Sequence, residues 1–295
     1  MALRDSPLLA PLLAASIWGG MYVVSKWGFA QIPPLTLVAM RAVLGAAVLL
    51  PLVRVVKPSR SFSRRDWRGF AGLAVLLAVS LAAQFLGTDL TTAAQGSLIT
   101  VLTPVFTVAL GVTVLGESFG SRKAVGILLA TVGTGIVLAG RYTLAELASD
   151  ALVGPALLVV AAATFAGYTA FGKRLIRTYS ALETATYATT LAVPLFALGA
   201  LAELTLTDAS LGAIVWSPAL VAAVAYLGVV STALAWYLWY KGIERAAAST
   251  TAVAFFAQPV VGIALGGLLL NEAIGPALVA GGAVLAVGVG LVSTA

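Results

Sequence analysis

The sequence predicts an all-α membrane protein with about ten transmembrane helices that form two inverted five-helix repeats. Two observations support this fold class. Hydrophobic residues make up 61% of the chain and charged residues only 9%, so polar side chains are too few to cover a water-soluble domain. The second half of the chain also repeats the first, since 13 of the 34 residues from 104 to 137 are identical to the residues 155 positions later.

Apolar runs between polar breaks give the order of the predicted helices. A helix of about 20 residues crosses the hydrocarbon layer of a bilayer, so the 295 residues have room for about ten such helices. The predicted spans are residues 8–28, 33–53, 69–88, 93–115, 124–140, 151–172, 183–203, 217–240, 248–270 and 276–293.

The basic residues indicate how these spans are oriented. Alternate connections carry 14 of the 17 Lys and Arg residues, and basic connections face the cytoplasm. We therefore expect a multi-pass protein of the inner (plasma) membrane with both termini in the cytoplasm. Because the net charge of +6 follows the topology, we expect the lipid bilayer and a small-molecule substrate as partners, and no nucleic acid.

The repeat predicts two halves, residues 1–147 and 148–295, each with five spans. Because five is an odd number, the second half enters the membrane from the opposite side. Antiparallel halves close around a midplane site in two nearly equivalent ways, which is the architecture of an alternating-access carrier. A bundle with only a structural role is the alternative. In the first helix of each half the offset is 147 positions, and it pairs Lys26 with Lys173, Gly20 with Gly167 and Trp18 with Phe165.

Two prolines occupy equivalent positions near the middle of the fourth and ninth spans. Pro104 and Pro259 each remove a backbone hydrogen bond and kink the helix. The freed carbonyl has no partner in lipid, so this face is expected to turn inward. We predict that both prolines are hinges at which one half rocks against the other; static kinks that shape the bundle are the alternative.

Short motifs recur at corresponding places in the two halves. They are Trp18-Gly19 followed by Lys26, Pro34 followed by Arg41, Pro104 with Leu115-Gly116-Glu117, and Pro259 with Leu270-Asn271-Glu272. These motifs resemble the drug/metabolite transporter superfamily, EamA family, over nearly the whole chain. Within that family the chain looks most like the YddG-type exporters of aromatic amino acids. The resemblance implies a transporter that exports small amphipathic metabolites by alternating access.

Aromatic and uncharged polar residues at depth are the candidates for substrate binding. Aromatic faces stack on planar substrates, whereas amides and hydroxyls bind amino and carboxyl groups without a full charge. Ordinary helix packing and hydrogen bonds within a single helix are the alternatives. The candidates are Trp18, Tyr22, Tyr168, Tyr187 and Trp236 for stacking, and Ser80, Gln84, Thr100 and Gln258 for hydrogen bonding.

Arg41 is a further candidate, because it lies about eight residues into the second span, roughly 12 Å along the helix. A cation at that depth is costly unless it pairs, snorkels or faces water. In a binding role, Arg41 attracts a substrate carboxylate. In a structural role, it bonds helix-end carbonyls or reaches the headgroups.

The titratable residues exclude several kinds of chemistry. The chain has no His and no Cys, which removes the usual metal ligands and most acid and base catalysts. We therefore expect no cofactor, no metal and no enzyme activity. All eleven carboxylates fall outside the predicted spans or at their ends, so we predict downhill export. A proton-coupled antiporter and a multidrug or organic-cation exporter on the same fold are the alternatives.

Two further patterns predict contacts between helices. Glu117 and Glu272 precede the fifth and tenth spans, where a negative charge suits the helix N-terminus; a role in gating is the alternative. Small residues such as Gly126 and Ala130 permit close helix contact in the fifth and tenth spans. They predict structural support and a possible homodimer.

Overall fold

The computed structural model describes residues 9–57, 60–115, 120–140, 152–176, 178–207, 209–245 and 254–293. These residues contain ten helical spans and no strand. The spans are α1 (Leu9–Gly28), α2 (Pro34–Val56), α3 (Arg64–Asp89), α4 (Ala93–Ile99, Thr100–Leu102 and Thr103–Leu115), α5 (Ser121–Ala139), α6 (Val153–Ile176), α7 (Ala181–Leu206), α8 (Pro218–Ala225, Tyr226–Leu234 and Ala235–Arg245), α9 (Ala254–Phe256 and Ala257–Leu270) and α10 (Pro276–Ser293). A short 3₁₀ turn, Leu211–Ala213, lies between α7 and α8.

Length and hydropathy separate the helices into two groups. Within the described residues, α2, α3, α6, α7 and α8 are each long and apolar enough to cross a membrane, whereas α4, α5, α9 and α10 contain shorter apolar stretches. Large aliphatic side chains point outward: Leu128, Leu198 and Leu268 are each more than 60% exposed. An exterior of this kind is suited to lipid rather than water, which confirms the predicted multi-pass membrane fold.

Two helices change their winding next to the repeated prolines. A 3₁₀ turn, Thr100–Leu102, immediately precedes Thr103 and Pro104 in α4. A second 3₁₀ turn, Ala254–Phe256, opens α9 just before Pro259. Because proline donates no hydrogen bond and its ring crowds the carbonyl of the preceding turn, a tighter turn before it is expected. The hinge role of the two prolines stays a prediction.

The bundle has two ends that differ in charge. At one end, the α2–α3 connection meets the start of α7, where Arg60 Nε lies 3.0 Å from Glu183 Oε1. The end of α8 meets the same place, since the Ala181 N–H donates to Glu244 Oε1 at 2.6 Å. This end, here called the basic end, holds the basic connections. The opposite end holds Lys26 and the connection between α9 and α10.

Helix pairing follows the order expected for two halves related by a two-fold axis. α2 packs on α7 and α5 packs on α10, while α3 packs on α6 and α1 packs on α8. The predicted boundary between the halves, at residues 147 and 148, lies outside the described residues.

Some of the small residues of α5 and α10 lie where these two helices touch. Gly126 and Ala130 face Gly288, and a Cβ added to Gly133 would lie 2.5 Å from the backbone nitrogen of Leu285. Their small size therefore lets α5 and α10 touch within one chain. The homodimer stays a prediction.

Candidate functional site

A central cavity lies where the two halves meet. About 380 Å³ of space between atoms belongs to it, including space that is open to the exterior, but the part that the centre of a water molecule can reach is about 30 Å³. The smaller volume has room for roughly two waters. It is lined by Trp18, Met21, Tyr22, Ser80, Leu81, Gln84, Thr100, Thr103, Ala161, Ala162, Phe165, Trp236, Phe255 and Gln258.

One side of the cavity is a hydrogen-bonded cluster, here called the polar wall, made of Tyr22, Gln84, Thr100 and Gln258. The Tyr22 hydroxyl lies 2.6 Å from Thr100 Oγ1 and accepts a short hydrogen bond from Gln84 Nε2. Gln258 Nε2 lies 2.7 Å from Thr100 Oγ1 and 3.4 Å from the Tyr22 hydroxyl. Four helices, α1, α3, α4 and α9, therefore meet in one network of uncharged groups.

Glycines bring the backbones of these helices close enough for the network to form. A Cβ added to Gly19 would lie 2.5 Å from the Gln258 carbonyl oxygen, which shows how closely α1 approaches α9. A Cβ added to Gly96 would lie 2.8 Å from Tyr22 Cδ1. Because real Cβ atoms do not approach this closely, alanine at either position would push the polar wall apart.

The other side of the cavity is a cluster of rings, here called the aromatic wall. The Trp18 ring contacts Phe165, Trp236 and Trp239 at centroid distances of 5.7, 5.0 and 5.4 Å. Trp239 and Phe255 meet edge to face at 4.6 Å. Such offset and edge-on contacts are favourable for aromatic pairs. The wall is made of Trp18, Phe165, Trp236, Trp239 and Phe255.

Trp18 connects the aromatic wall to a π-helical segment of α8. Its Nε1 donates to the Ser231 carbonyl at 3.1 Å, and Ser231 lies within the π-helical stretch Tyr226–Leu234. A π-helix widens the turn and alters which carbonyls are free. The segment thus presents an acceptor to Trp18 at the centre of the bundle.

Ser80 lies between the two walls. Its hydroxyl donates to the Ala161 carbonyl at 2.9 Å, joining α3 to α6. Ser80 and Ala161 both line the cavity. Ser80 therefore lines the cavity, as predicted, but its hydroxyl is already used in a hydrogen bond that joins two helices.

Arg41 does not line the cavity; it is fully buried behind it. The guanidinium donates to Thr232 Oγ1 at 2.9 Å, to the Ser231 carbonyl at 3.0 Å and to Met21 Sδ at 2.7 Å. Its Cζ also lies 5.3 Å from the centre of the Phe85 ring. Because protein groups use its donors, the structure supports the structural alternative: Arg41 ties α2 to the π-helical segment of α8.

Tyr168 and Tyr187 also lie outside the cavity. Tyr168 is fully buried behind the aromatic wall, 6.0 Å from Phe165 and 5.2 Å from Trp236 between ring centroids. Tyr187 lies at the basic end, because it belongs to the first turns of α7. There it joins a five-ring cluster made of Phe62, Trp67, Phe70, Tyr179 and Tyr187.

The expected capping by Glu272 occurs at a different helix from the one predicted. Its Oε1 and Oε2 accept from the backbone N–H groups of Ala93 and Ala94 at 2.7 and 2.9 Å. The carboxylate therefore caps α4, which is distant in sequence, and not α10, which follows it. The left-handed backbone of Asn271, with φ of 53°, forms the turn just before it. Glu117 lies outside the described residues.

The aromatic wall contains residues that the sequence analysis missed as binding candidates. Phe255 lines the cavity, and Trp239 packs directly behind it. The repeat carries a signal for both, since Phe255 lies 155 positions after Thr100 and Trp239 lies 155 positions after Gln84. Equivalent positions of inverted repeats face the same central site.

The described residues that line the cavity carry no formal charge. None of the described residues that line it is Asp, Glu, Lys or Arg. Within the described part of the chain, no group of three His, Cys, Asp or Glu side chains is arranged to hold a metal ion. The cavity offers ring faces, amides and hydroxyls.

Comparison with protein families identifies the chain. The EamA-like transporter family matches it twice, at residues 6–139 and at residues 152–294. The chain belongs to the EamA-like transporter family. The two matched segments together cover most of the sequence, and each contains five of the described helices.

Relatives of this EamA-like transporter are themselves named as transporters. An uncharacterised transporter of Archaeoglobus fulgidus is 29% identical over 268 residues, covering 88% of each chain. A probable biotin transporter of Pseudomonas aeruginosa is 29% identical over 294 residues, covering 93% of each chain. A solved crystal structure covers 99% of this chain and 98% of its own, with a TM-score of 0.69 and 23% identity, and so shares the fold.

Proposed function

We propose that this EamA-like transporter exports small amphipathic metabolites, chiefly aromatic and other apolar amino acids, by alternating access through the central cavity. The observation that carries the proposal is the pairing of the two walls. One wall offers ring faces and the other offers neutral hydrogen-bonding groups. A molecule with a planar apolar part and a compact polar part is complementary to both.

The polar wall suits the amino and carboxyl groups of an amino acid. Tyrosine and threonine hydroxyls both donate and accept, and each glutamine amide has one acceptor and two donors. In this structure these groups bond to one another. A bound substrate exchanges some of those bonds for bonds to its own amino and carboxyl groups, and these bonds offset part of the cost of removing the two charged groups from water.

The aromatic wall suits a ring or a branched apolar side chain. Trp18, Phe165, Trp236 and Phe255 all contribute to the cavity lining and are each less than 10% exposed. Burying an aromatic substrate side chain among such rings adds contact area and favourable edge-on geometry. This wall therefore supplies much of the affinity for apolar side chains.

We further propose that transport is downhill and needs no proton gradient. A proton-coupled carrier generally uses a titratable group that changes its exposure between conformations. The described residues that line the cavity include no carboxylate. Glu183, although buried, is held at the basic end by Arg60 and by the Ser180 hydroxyl.

Biotin is the second candidate substrate. It is suggested by the Pseudomonas aeruginosa relative named a probable biotin transporter, which aligns with 93% of this chain. Biotin also combines a compact polar ring system with an apolar chain and a carboxylate. Because it lacks an aromatic ring, it would gain less from the aromatic wall than tryptophan does.

Efflux from loaded proteoliposomes tests these proposals. Vesicles that contain the purified protein are loaded with labelled tryptophan, and efflux is measured with and without an imposed proton gradient. Unlabelled phenylalanine, leucine, biotin and an aromatic organic cation are then compared as inhibitors. We expect efflux without any gradient, with phenylalanine inhibiting more strongly than leucine or biotin.

A matched pair of variants separates cavity binding from general effects of losing a tryptophan. Trp18→Ala removes a ring of the aromatic wall, whereas Trp216→Ala removes a ring that is 51% exposed outside the bundle. Only the first is expected to slow efflux. Strict dependence on a proton gradient contradicts the downhill mechanism, and stronger inhibition by biotin than by phenylalanine contradicts the amino acid assignment.

A further inference from the structure

Lys26 ties two helix ends together at the opposite end of the bundle. Its Nζ donates to the backbone carbonyls of Thr88 and Asp89 at 3.2 and 2.6 Å. These carbonyls belong to the last turn of α3, where carbonyls have no partner one helical turn ahead, although the Thr88 carbonyl also accepts from the Thr91 N–H at 3.3 Å. A cation at a helix C-terminus is favourable for the same reason. The contact exists only while the ends of α1 and α3 stay together.

Glu272 makes a second tie at the same end. Its carboxylate accepts from the first two N–H groups of α4, those of Ala93 and Ala94. Lys26 thus joins α1 to α3, and Glu272 joins the α9–α10 connection to α4. The helices that these contacts hold together are the four that supply the polar wall.

The repeat locates the equivalent of the lysine contact at the basic end. Lys173 lies 147 positions after Lys26, and Ile243 and Glu244 lie 155 positions after Thr88 and Asp89. The positions match in structure as well, since Lys173 is in the last turns of α6 and the other two residues end α8.

The two equivalent lysines differ in their hydrogen bonds. Lys173 is half-buried, and it donates no hydrogen bond and forms no ion pair to any residue that the structure describes. The lysine contact is therefore made at the opposite end and is absent at the basic end. In a carrier whose halves are related by a two-fold axis, the state open to one side and the state open to the other differ in which of two equivalent contacts is formed.

We propose that Lys26 and Lys173 are alternating latches. Lys26 holds the opposite end closed, as in this structure, while Lys173 binds the carbonyls of Ile243 and Glu244 when the basic end closes. The proposal rests on the alternating-access part of the proposed function, and it requires no particular substrate. Because each latch stabilises one access state, removing either one shifts the population toward the other state.

Thiol labelling from each side of the membrane tests the latches. The chain has no cysteine, so Ser80→Cys introduces a single thiol into the cavity. An impermeant maleimide is added to right-side-out and to inside-out vesicles. In this background, Lys26→Met is expected to increase the labelling rate from the opposite end about tenfold relative to the rate from the basic end, which corresponds to one lost charge-assisted hydrogen bond.

The substitution of Lys173 tests the direction of the change in the labelling ratio. Lys173→Met is expected to shift the same ratio in the other direction, and the double variant to return it toward the starting value. Lys57→Met, which removes a cation from the α2–α3 connection at the basic end, serves as the control and is expected to leave the ratio unchanged.

An increase in labelling from both sides in Lys26→Met would show a loosened bundle and overturn the latch. A shift in the same direction for both lysine variants would also overturn it. Because labelling requires no substrate, the labelling result can support the latches even if the protein does not transport tryptophan.

Discussion

The polar wall and the aromatic wall face each other across one cavity, and two of the four positions of the polar wall are equivalent to positions of the aromatic wall in the other half. Three of the four polar residues, Tyr22, Gln84 and Thr100, belong to the first half. Four of the five aromatic residues belong to the second half. The position equivalent to Gln84 is occupied by Trp239, and the position equivalent to Thr100 is occupied by Phe255.

This comparison shows that the repeated fold determines where a side chain lies but not its chemical character. The prolines are the same in both halves, at Pro104 and Pro259, whereas the positions of Gln84 and Thr100 are polar in the first half and aromatic in the second. A cavity with two different faces binds an amphipathic molecule in one orientation, whereas two identical faces would not distinguish its ends.

The largest effect is expected from Gln258→Leu, which breaks the polar wall. Gln258 Nε2 has three acceptors, namely Thr100 Oγ1, the Ser97 carbonyl and the Tyr22 hydroxyl. Removing the amide leaves buried acceptors unpaired and takes away a substrate contact, so tryptophan efflux should fall about 100-fold, roughly 3 kcal/mol. Initial efflux rates measure this. Gln31→Leu, in the α1–α2 connection, is the control, and an equal loss there would contradict the role of the wall.

Phe255→Thr sharpens the comparison, because it gives the aromatic wall the same residue as Thr100, the equivalent position in the polar wall. The ring of Phe255 contacts Trp18, Phe165 and Trp239. Its loss should reduce the preference for tryptophan over leucine by about tenfold, because aromatic contact area and geometry are lost.

The Phe255 experiment needs a control for folding. Phe255→Leu keeps an apolar side chain, and thermal unfolding in detergent reports the stability of both variants. If Phe255→Leu and Phe255→Thr change the preference equally, the aromatic character of this position is responsible. An unchanged preference in both would show that the wall does not select substrates.

A smaller effect is expected from Tyr22→Phe, which removes one hydroxyl and keeps the ring. That hydroxyl accepts from Gln84 and lies 2.6 Å from Thr100 Oγ1. Loss of a single neutral hydrogen-bonding group costs about 1 kcal/mol, so efflux should fall roughly fivefold. Concentration series of tryptophan and leucine should show the same fall for both, because the hydroxyl faces the polar part of each; a loss confined to tryptophan would contradict this.

The smallest effect on transport is expected from Tyr187, which lies outside both walls. Tyr187→Ala removes a ring that contacts Phe62 at 4.8 Å and Phe70 at 5.4 Å. It should lower the free energy of unfolding by about 3 kcal/mol and leave the apparent KM for tryptophan within a factor of two. A large change in KM with unchanged thermal stability would instead place Tyr187 on the substrate path.

The fold could be predicted from the sequence because it depends mainly on the hydropathy of consecutive residues. Long apolar runs must be helical in lipid, and all ten predicted spans correspond to described helices. The site was predicted less completely. Depth in the membrane selected Trp18, Tyr22, Gln84 and Gln258, and these four side chains line the cavity; their role in substrate binding stays a prediction. It did not show which way a helix is rotated, so it also selected Arg41, which faces α8.

Hydropathy and internal repetition thus determined the number of helices and their order, because each depends on local composition or on matching positions; the opposite orientation of the two halves stays a prediction. Packing between distant segments decided the rest. Only the assembled bundle places Glu272 on the N-terminus of α4, 178 and 179 positions away, and brings Trp18 beside Trp236 and Trp239. Such contacts depend on how each helix is rotated and on how closely two helices approach at a glycine. Both are set by pairs of neighbouring helices and cannot be read from one span alone.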